Sequence, residues 1–144
     1  MIQVKDVVKS FDGNVVLNHV SANFEDGKVN MIIGQSGSGK TVLMKSMIGL
    51  HQIDGGEIVF DTRAGQQNLA GMTEKEVRML HREVGMLFQG AALFDSMTVQ
   101  ENVMYPLEMF SDMTDEEKVE RARFCLERVN MPERAVGLMP REIS

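Results

Sequence analysis

Hydrophobic and polar positions follow two regimes along this chain. In the first, short runs of β-branched and aromatic residues are separated by Gly- and Asp-rich breaks. Ile2 to Phe11 and Val15 to Phe24 are such runs with Asp12-Gly13-Asn14 between them, which predicts an antiparallel strand pair. Glu25-Asp26-Gly27-Lys28 is a second turn, Val29 to Ile33 reads as a short buried strand, and Val42 to Leu50 reads as a helix opening at Thr41. Asp54-Gly55-Gly56 is a further turn, Glu57 to Asp61 another strand, and a polar connection runs on to Ala70.

In the second regime helices dominate. Three starts carry a Thr followed three residues later by a Glu: Thr73 with Glu76, Thr98 with Glu101 and Thr114 with Glu117. In this capping box each side chain satisfies a backbone donor at the helix start, so helices are predicted over about 73–83, 98–110 and 114–130. Val84 to Gln89 reads as a buried strand ending in a polar residue. In the last helix Val119, Ala122, Leu126 and Val129 share one face, and Glu117 and Arg121 are spaced to pair at i,i+4. Early strands followed by alternating strands and helices give a mixed α/β fold with an added helical segment.

Between the strand at 29–33 and the helix at 42–50 lies Gly34-Gln35-Ser36-Gly37-Ser38-Gly39-Lys40-Thr41, a match to the phosphate-binding pattern G-x-x-x-x-G-K-[ST]. Its glycines permit backbone turns closed to other residues, so successive N–H groups can line a nest for phosphate oxygens. Lys40 supplies a point charge for the β- and γ-phosphates and Thr41 a hydroxyl for Mg²⁺. A strand feeding the loop and a helix leaving it strengthen the match, because the helix N-terminus adds unpaired N–H groups and a positive dipole end.

Bulk numbers narrow the rest. The 144 residues, 43% hydrophobic, suffice for one packed domain. No apolar run approaches the roughly 18 residues of a membrane span, and the N-terminal stretch has no signal-peptide pattern. The single Cys125 falls in a helical stretch, where a small buried hydrophobe is the expected role. The net charge of −6 is concentrated in the second half, where residues 73–144 carry fourteen acids against nine bases. This balance argues against a nucleic-acid groove, which needs clustered Lys and Arg. His19, His51 and His81 lack ligand spacing, so any metal would arrive with the nucleotide.

Two residues outside the loop have both a chemical and a structural reading. Phe11 precedes a turn and could offer a ring face to a nucleobase or serve as a core aromatic. Gln89 closes an apolar strand, where it could bind a ligand at the strand's C-terminal edge or simply end the strand. Met97, Met104, Met109 and Met113 cluster around one predicted helix, a polarizable surface suited to docking a partner helix.

Taken together, these residues resemble the nucleotide-binding subunit of an ABC transporter over nearly the whole chain. The resemblance is carried by Lys9-Ser10-Phe11, the complete phosphate loop, Val84 to Gln89 as the Q-loop, and Leu138 to Ser144 as the approach to the signature motif L-S-G-G-Q, with Ile143 where Leu is usual. Within the family, the run from Gln89 to Val99 resembles most closely the ATPases of Mla-type lipid transporters, which work with MCE-domain proteins. Many other importers carry Pro where this chain has Asp95.

The resemblance implies a P-loop NTPase fold, with an antiparallel β subdomain and phosphate-loop core in residues 1–90 and the start of a helical subdomain in 91–144. It implies ATP and Mg²⁺ as cofactors. Phe11 would stack on adenine, Gly37, Gly39, Lys40 and Thr41 would hold phosphates and metal, and Gln89 would touch the metal or attacking water. Ser144 would face the γ-phosphate bound by a second ATPase subunit in a head-to-tail sandwich. The implied partners are that second subunit, a membrane permease whose coupling helix docks on the helical segment, and an MCE-type lipid-binding protein. The implied location is cytoplasmic, peripheral at the inner or plasma membrane.

The sequence ends at Ser144, before the family's acidic strand, catalytic Glu and His switch. The expectation is therefore an N-terminal piece of a longer subunit that binds nucleotide without turning it over alone, with two core strands lacking their usual neighbours and exposed edges prone to self-association. Competing functions are another ABC importer, a non-catalytic nucleotide-binding module, a soluble P-loop kinase, which would need an acceptor site, and a DNA-repair ATPase, which would need a long coiled coil after Gln89.

Overall fold

The structure is a computed structural model that describes residues 1–62, 65–88, 90 and 92–143. The chain divides into two compact units, Met1–Met86 and Leu87–Ser144.

In the first unit, β1 (Ile2–Phe11) and β2 (Asn14–Phe24) pair antiparallel, with Ile2 opposite Phe24 and Phe11 opposite Asn14. Only Asp12 and Gly13 remain for the turn, and both have positive φ, 49° and 81°. That is the backbone of a type I′ turn, whose twist matches the strands and which Asp-Gly adopts readily. β1 is irregular at Asp6, where its N–H donates to Ser21 Oγ at 2.9 Å and its carboxylate lies 2.9 Å from His19 Nδ1. On the other edge of β1 lies β3 (Gly55–Thr62), also antiparallel, with Ile2 opposite Phe60 and Val8 opposite Gly55. The expected polar connection after β3 contains a fourth strand, β4 (Gly65–Asn68), which completes the order β2-β1-β3-β4. Gln66, Gln67 and Asn68 carry no apolar alternation, so ladder bonds to β3 place this strand where its pattern did not.

Two helices belong to this unit, α1 (Lys40–Met47) and α2 (Glu74–Glu83). Their apolar residues Leu43, Met47 and Leu80 join Val4, Val7, Leu17, Ile58 and Phe60 of the sheet in one core. Ile58 and Val7 are fully buried, and complete burial of such a side chain contributes about 1.5–3 kcal/mol.

Val29–Ile33 and Val84–Phe88, expected as buried strands, belong to no ladder among the described residues. Ile32 and Val84 do pack against the core. Val29, Ile33 and Leu87 are nevertheless 96%, 84% and 94% exposed. A strand is held by hydrogen bonds to its neighbours, so an apolar run without a neighbour leaves outward side chains in water. Asn30 fixes the start of the first run instead, accepting from the Glu25 N–H at 3.2 Å and donating to the Glu25 carbonyl at 2.9 Å.

The second unit holds α3 (Val99–Phe110) and α4 (Asp115–Arg128), with Val99, Ala122, Leu126 and Ala135 buried. Two N–H groups at the start of α3 donate to the returning chain, Val99 to the Leu138 carbonyl at 2.9 Å and Gln100 to the Val136 carbonyl at 3.1 Å. Asn102 ties the preceding loop to the helix: its Oδ1 accepts from the Phe94 N–H at 2.8 Å, and its Nδ2 lies within 3.1 Å of the Phe94, Met97 and Thr98 carbonyls.

Three expectations for α4 need correction. The helix ends at Arg128, and with Asn130 at φ 55° beyond it, Val129 leaves the buried face and is 68% exposed. Glu117 does not reach for Arg121, because its carboxylate accepts the Thr114 N–H at 2.7 Å, while Arg121 lies over the Phe124 ring at 5.3 Å. Cys125 is half-buried rather than buried. Among the described residues no helix is long and apolar enough to cross a membrane.

Candidate functional site

The phosphate-loop segment is an exposed loop from Gly34 to Ser38 that closes into α1 at a buried Gly39. A backbone bond from the Ser38 N–H to the Gln35 carbonyl, 3.2 Å, sets its curve, and Gly37 has φ 80° with open space where a Cβ would stand. Gly39 is the loop glycine at which a side chain would meet both backbone strain and crowding. It sits at φ 87° as the N-cap of α1, and a Cβ there would lie 3.0 Å from the Val16 carbonyl oxygen and 3.1 Å from Leu17 Cδ2. The close approach seats the loop against β2.

With glycine at the N-cap, no side chain caps α1, and no acidic residue lies in its first turn. The first N–H groups of a helix have no intrahelical acceptor, so an uncapped start presents donors and the positive end of the macrodipole to whatever lies beyond it. Lys40 is half-buried and bends back over the loop, its Nζ donating to the Gly34 carbonyl at 2.8 Å and the Gln35 carbonyl at 2.7 Å. An ammonium held over the mouth of the loop and unpaired helix donors are a donor set for an anion, and they fit a phosphate group. Thr41 is exposed in the first turn of α1, and Ser36 and Ser38 are exposed in the loop.

Phe11 stands at the end of β1, 38% exposed, and is therefore not a core aromatic. Its rung partner Asn14 lies two residues, about 7 Å along β2, from Val16, whose carbonyl oxygen a Cβ at Gly39 would crowd. Around Phe11 the fold gathers residues that spacing alone did not suggest. His51 meets its ring edge-on, with centroids 5.3 Å apart and planes at 76°, and Lys9 Nζ lies 5.2 Å from the ring centroid. Lys9 donates to Asp54 Oδ1 at 2.8 Å, and the Ser10 N–H donates to Asp54 Oδ2 at 2.6 Å. The Lys9 hydrogen bond first, then the Ser10 N–H, hold the Asp54 carboxyl below its ordinary range. Forty residues or more separate these partners in the chain, so no local motif announces them.

Gln89 and Ser144, expected to face the attacking water and a partner's γ-phosphate, lie outside the described residues. In the second unit the Phe94 and Tyr105 rings meet tilted at 55° with centroids 4.6 Å apart, and Met109 and Met113 are exposed while Met97 and Met104 are half-buried.

The family model for the ABC transporter matches residues 17–144. The chain belongs to that family. It is 33% identical over 135 residues to the methionine import ATP-binding protein MetN of Rhizobium johnstonii, covering 94% of this chain and 36% of that protein. It is 32% identical to the phosphonates import ATP-binding protein PhnC of Fusobacterium nucleatum, covering 91% of this chain and 54% of that one. With the glutamine transport ATP-binding protein GlnQ of Escherichia coli it shares 34% over 94% of this chain and 54% of the relative. The chain thus spans between about a third and just over half the length of these curated relatives.

Among solved structures, the ABC transporter cassette MJ0796 in its dimeric form superposes with a TM-score of 0.86 at 29% identity, covering 100% of this chain and 63% of the cassette. The same cassette in a post-hydrolysis state bound to ADP and Pi gives 0.87 at 28% identity. The fold is therefore the N-terminal part of an ABC ATPase cassette, an α/β architecture with an antiparallel sheet. The narrower expectation of a lipid transporter is not what these relatives carry: their names specify methionine, phosphonates and glutamine.

Proposed function

We propose that this chain is the nucleotide-binding portion of the ATP-binding subunit of an ABC import system, which couples ATP binding and hydrolysis to transport through a membrane permease. One observation supports it above others: among the α-helices of the described residues, α1 alone starts on an uncapped glycine, with Lys40 held over the loop that precedes it. Family membership and likeness to import ATP-binding proteins supply the transport context.

In this reading the backbone donors of the loop and α1 take phosphate oxygens, and Lys40 releases the Gly34 and Gln35 carbonyls to pair with the β- and γ-phosphates. Thr41 directs its hydroxyl to Mg²⁺, which neutralises phosphate charge when bound. Phe11 stacks on the base. A second copy completes the sandwich, a reading that the dimeric MJ0796 supports; Gln89 touches the metal or attacking water, and Ser144 faces the γ-phosphate bound by the second copy. The membrane association is peripheral, on the cytoplasmic side.

A second reading keeps a lipid cargo and an MCE-domain partner. It rests on the run 89–99, with Asp95 where many other importers carry Pro.

Equilibrium binding of a fluorescent ATP analogue to the chain, with Lys40→Ala as control, tests the proposal. Loss of charge-assisted hydrogen bonds worth about 1.5–3 kcal/mol lowers affinity roughly tenfold to a hundredfold. Affinity indifferent to Lys40 overturns the phosphate-loop reading.

A further inference from the structure

Phe11 is more constrained than a ring at a strand end needs to be. It follows directly on Lys9 and Ser10, and both are tied to Asp54: Lys9 by its ammonium at 2.8 Å and Ser10 by its N–H at 2.6 Å. Asp54 is itself fixed to β1, because its N–H donates to the Val8 carbonyl at 2.8 Å. The link thus closes from both directions, and the Lys9 side chain is only 14% exposed despite its charge. From this anchored position Lys9 Nζ approaches the ring centroid at 5.2 Å, within the reach of a cation–π contact. His51 takes the remaining freedom by meeting the ring edge-on, in the T-shaped arrangement that aromatic pairs favour. A ring gripped by an imidazole and attended by an ammonium keeps one orientation.

We propose that Lys9, held through Asp54, and His51 are positioning residues that fix Phe11 as a preorganised platform for a nucleobase. The proposal rests on the nucleotide reading given above and adds to it the specific residues that make base recognition efficient. An exposed aromatic side chain free to rotate loses that freedom on stacking, whereas a ring already fixed has none to lose, and affinity gains by the difference. The position suits the role. The rung partner of Phe11, Asn14, lies two residues along β2 from Val16, beside whose carbonyl the phosphate loop closes at Gly39. His51 also lines a cavity of about 310 Å³ with Gly49, Ile53, Leu69 and Val77. Truncating it therefore enlarges existing space and frees the ring, while a Phe in its place preserves the edge contact.

Calorimetric titration of the chain with ATP and with inorganic tripolyphosphate, which has no base, separates the outcomes. Phe11→Ala and His51→Ala are each expected to weaken ATP binding about threefold to tenfold and leave tripolyphosphate binding unchanged; Lys9→Met, which keeps the stem and removes the charge, gives about threefold. His51→Phe is expected to restore wild-type affinity for ATP. If Phe11→Ala weakens ATP binding and His51→Ala and Lys9→Met do not, the platform is not positioned by them and the proposal falls while the nucleotide reading stands. Equal loss of both ligands in His51→Ala marks a general structural role and also overturns it. If Lys40→Ala binds both ligands like the wild type, the nucleotide reading itself fails.

Discussion

The helices of this chain begin in two different ways. At α2, α3 and α4 a threonine hydroxyl accepts the N–H of the third helical residue, while a glutamate at that third position accepts the threonine's own N–H. Each start is closed on itself, with Glu76, Glu101 and Glu117 also placing negative charge where the macrodipole favours it. At α1 the corresponding position is Gly39, with no cap, no acid in the first turn, and a lysine instead. A capped start contributes stability to its own helix. An uncapped start gives up that contribution and retains donors open to water or to an external anion. The contrast sets the three self-capped starts apart from the one that the proposed function assigns to phosphate.

Closing the open end is the most damaging test of this distinction. Gly39→Ser places a capping-type residue at the N-cap of α1, but at φ 87° and with a Cβ 3.0 Å from the Val16 oxygen. Left-handed backbone costs a non-glycine residue about 1–2 kcal/mol before the contact is counted. Chemical denaturation should show a loss at least that large, and titration should show binding of the ATP analogue lost beyond detection. Wild-type stability and affinity together in Gly39→Ser would mean that the glycine is incidental.

A gentler pair sharpens the comparison, because both ends carry a threonine. Thr98→Ala removes the cap of α3 and should cost about 1 kcal/mol in stability, with nucleotide affinity unchanged. Thr41→Ala, at an exposed position in the first turn of α1, should leave stability within about 0.5 kcal/mol and reduce the Mg²⁺ dependence of nucleotide binding. Denaturant midpoints and titrations with and without Mg²⁺ read both. The distinction collapses if the two threonines exchange behaviours.

How much of this could be read from the amino acids follows the range of the interactions involved. The capping boxes and the Asp12-Gly13 turn are local, each decided within a few residues, and each appears where its residues placed it. Val29–Ile33 and Leu87 failed as buried strand positions because burial there depends on a neighbouring strand, and composition does not supply the neighbour. β4 escaped notice for the converse reason: its polar residues are a strand only because β3 offers a ladder. Around Phe11, exposure and the grip of His51, Lys9 and Asp54 depend on a hairpin meeting the turn before β3, a contact between residues about forty apart. The family resemblance singled out Phe11 as a base-stacking candidate, which its exposure leaves open, while the relatives' names support an importer more than the lipid cargo.

The smallest expected effect concerns acid. Glu76 and Glu101 are fully exposed, yet their carboxyls titrate below the ordinary glutamate value because the Thr73 and Thr98 N–H groups, and then the threonine hydroxyls, donate to the ionised form. A carboxyl whose folded-state pKa is depressed binds protons more weakly folded than unfolded. Its stabilisation is therefore complete above the unfolded value of 4.5 and is lost as the pH falls through the folded one. The starts of α2 and α3 should weaken below about pH 4.5 while α1, with no carboxylate at its start, loses nothing from this source. Amide hydrogen exchange read residue by residue at pH 6 and pH 4 distinguishes the ends once intrinsic rates are divided out: protection should fall slightly in the first turns of α2 and α3 and stay constant in the first turn of α1. Glu76→Gln and Glu101→Gln, which keep an acceptor but cannot lose a charge, should flatten the pH dependence at their own helix alone. A uniform loss of protection at all four starts would show that acid acts on the fold as a whole and that the capping glutamates have no separate share in it.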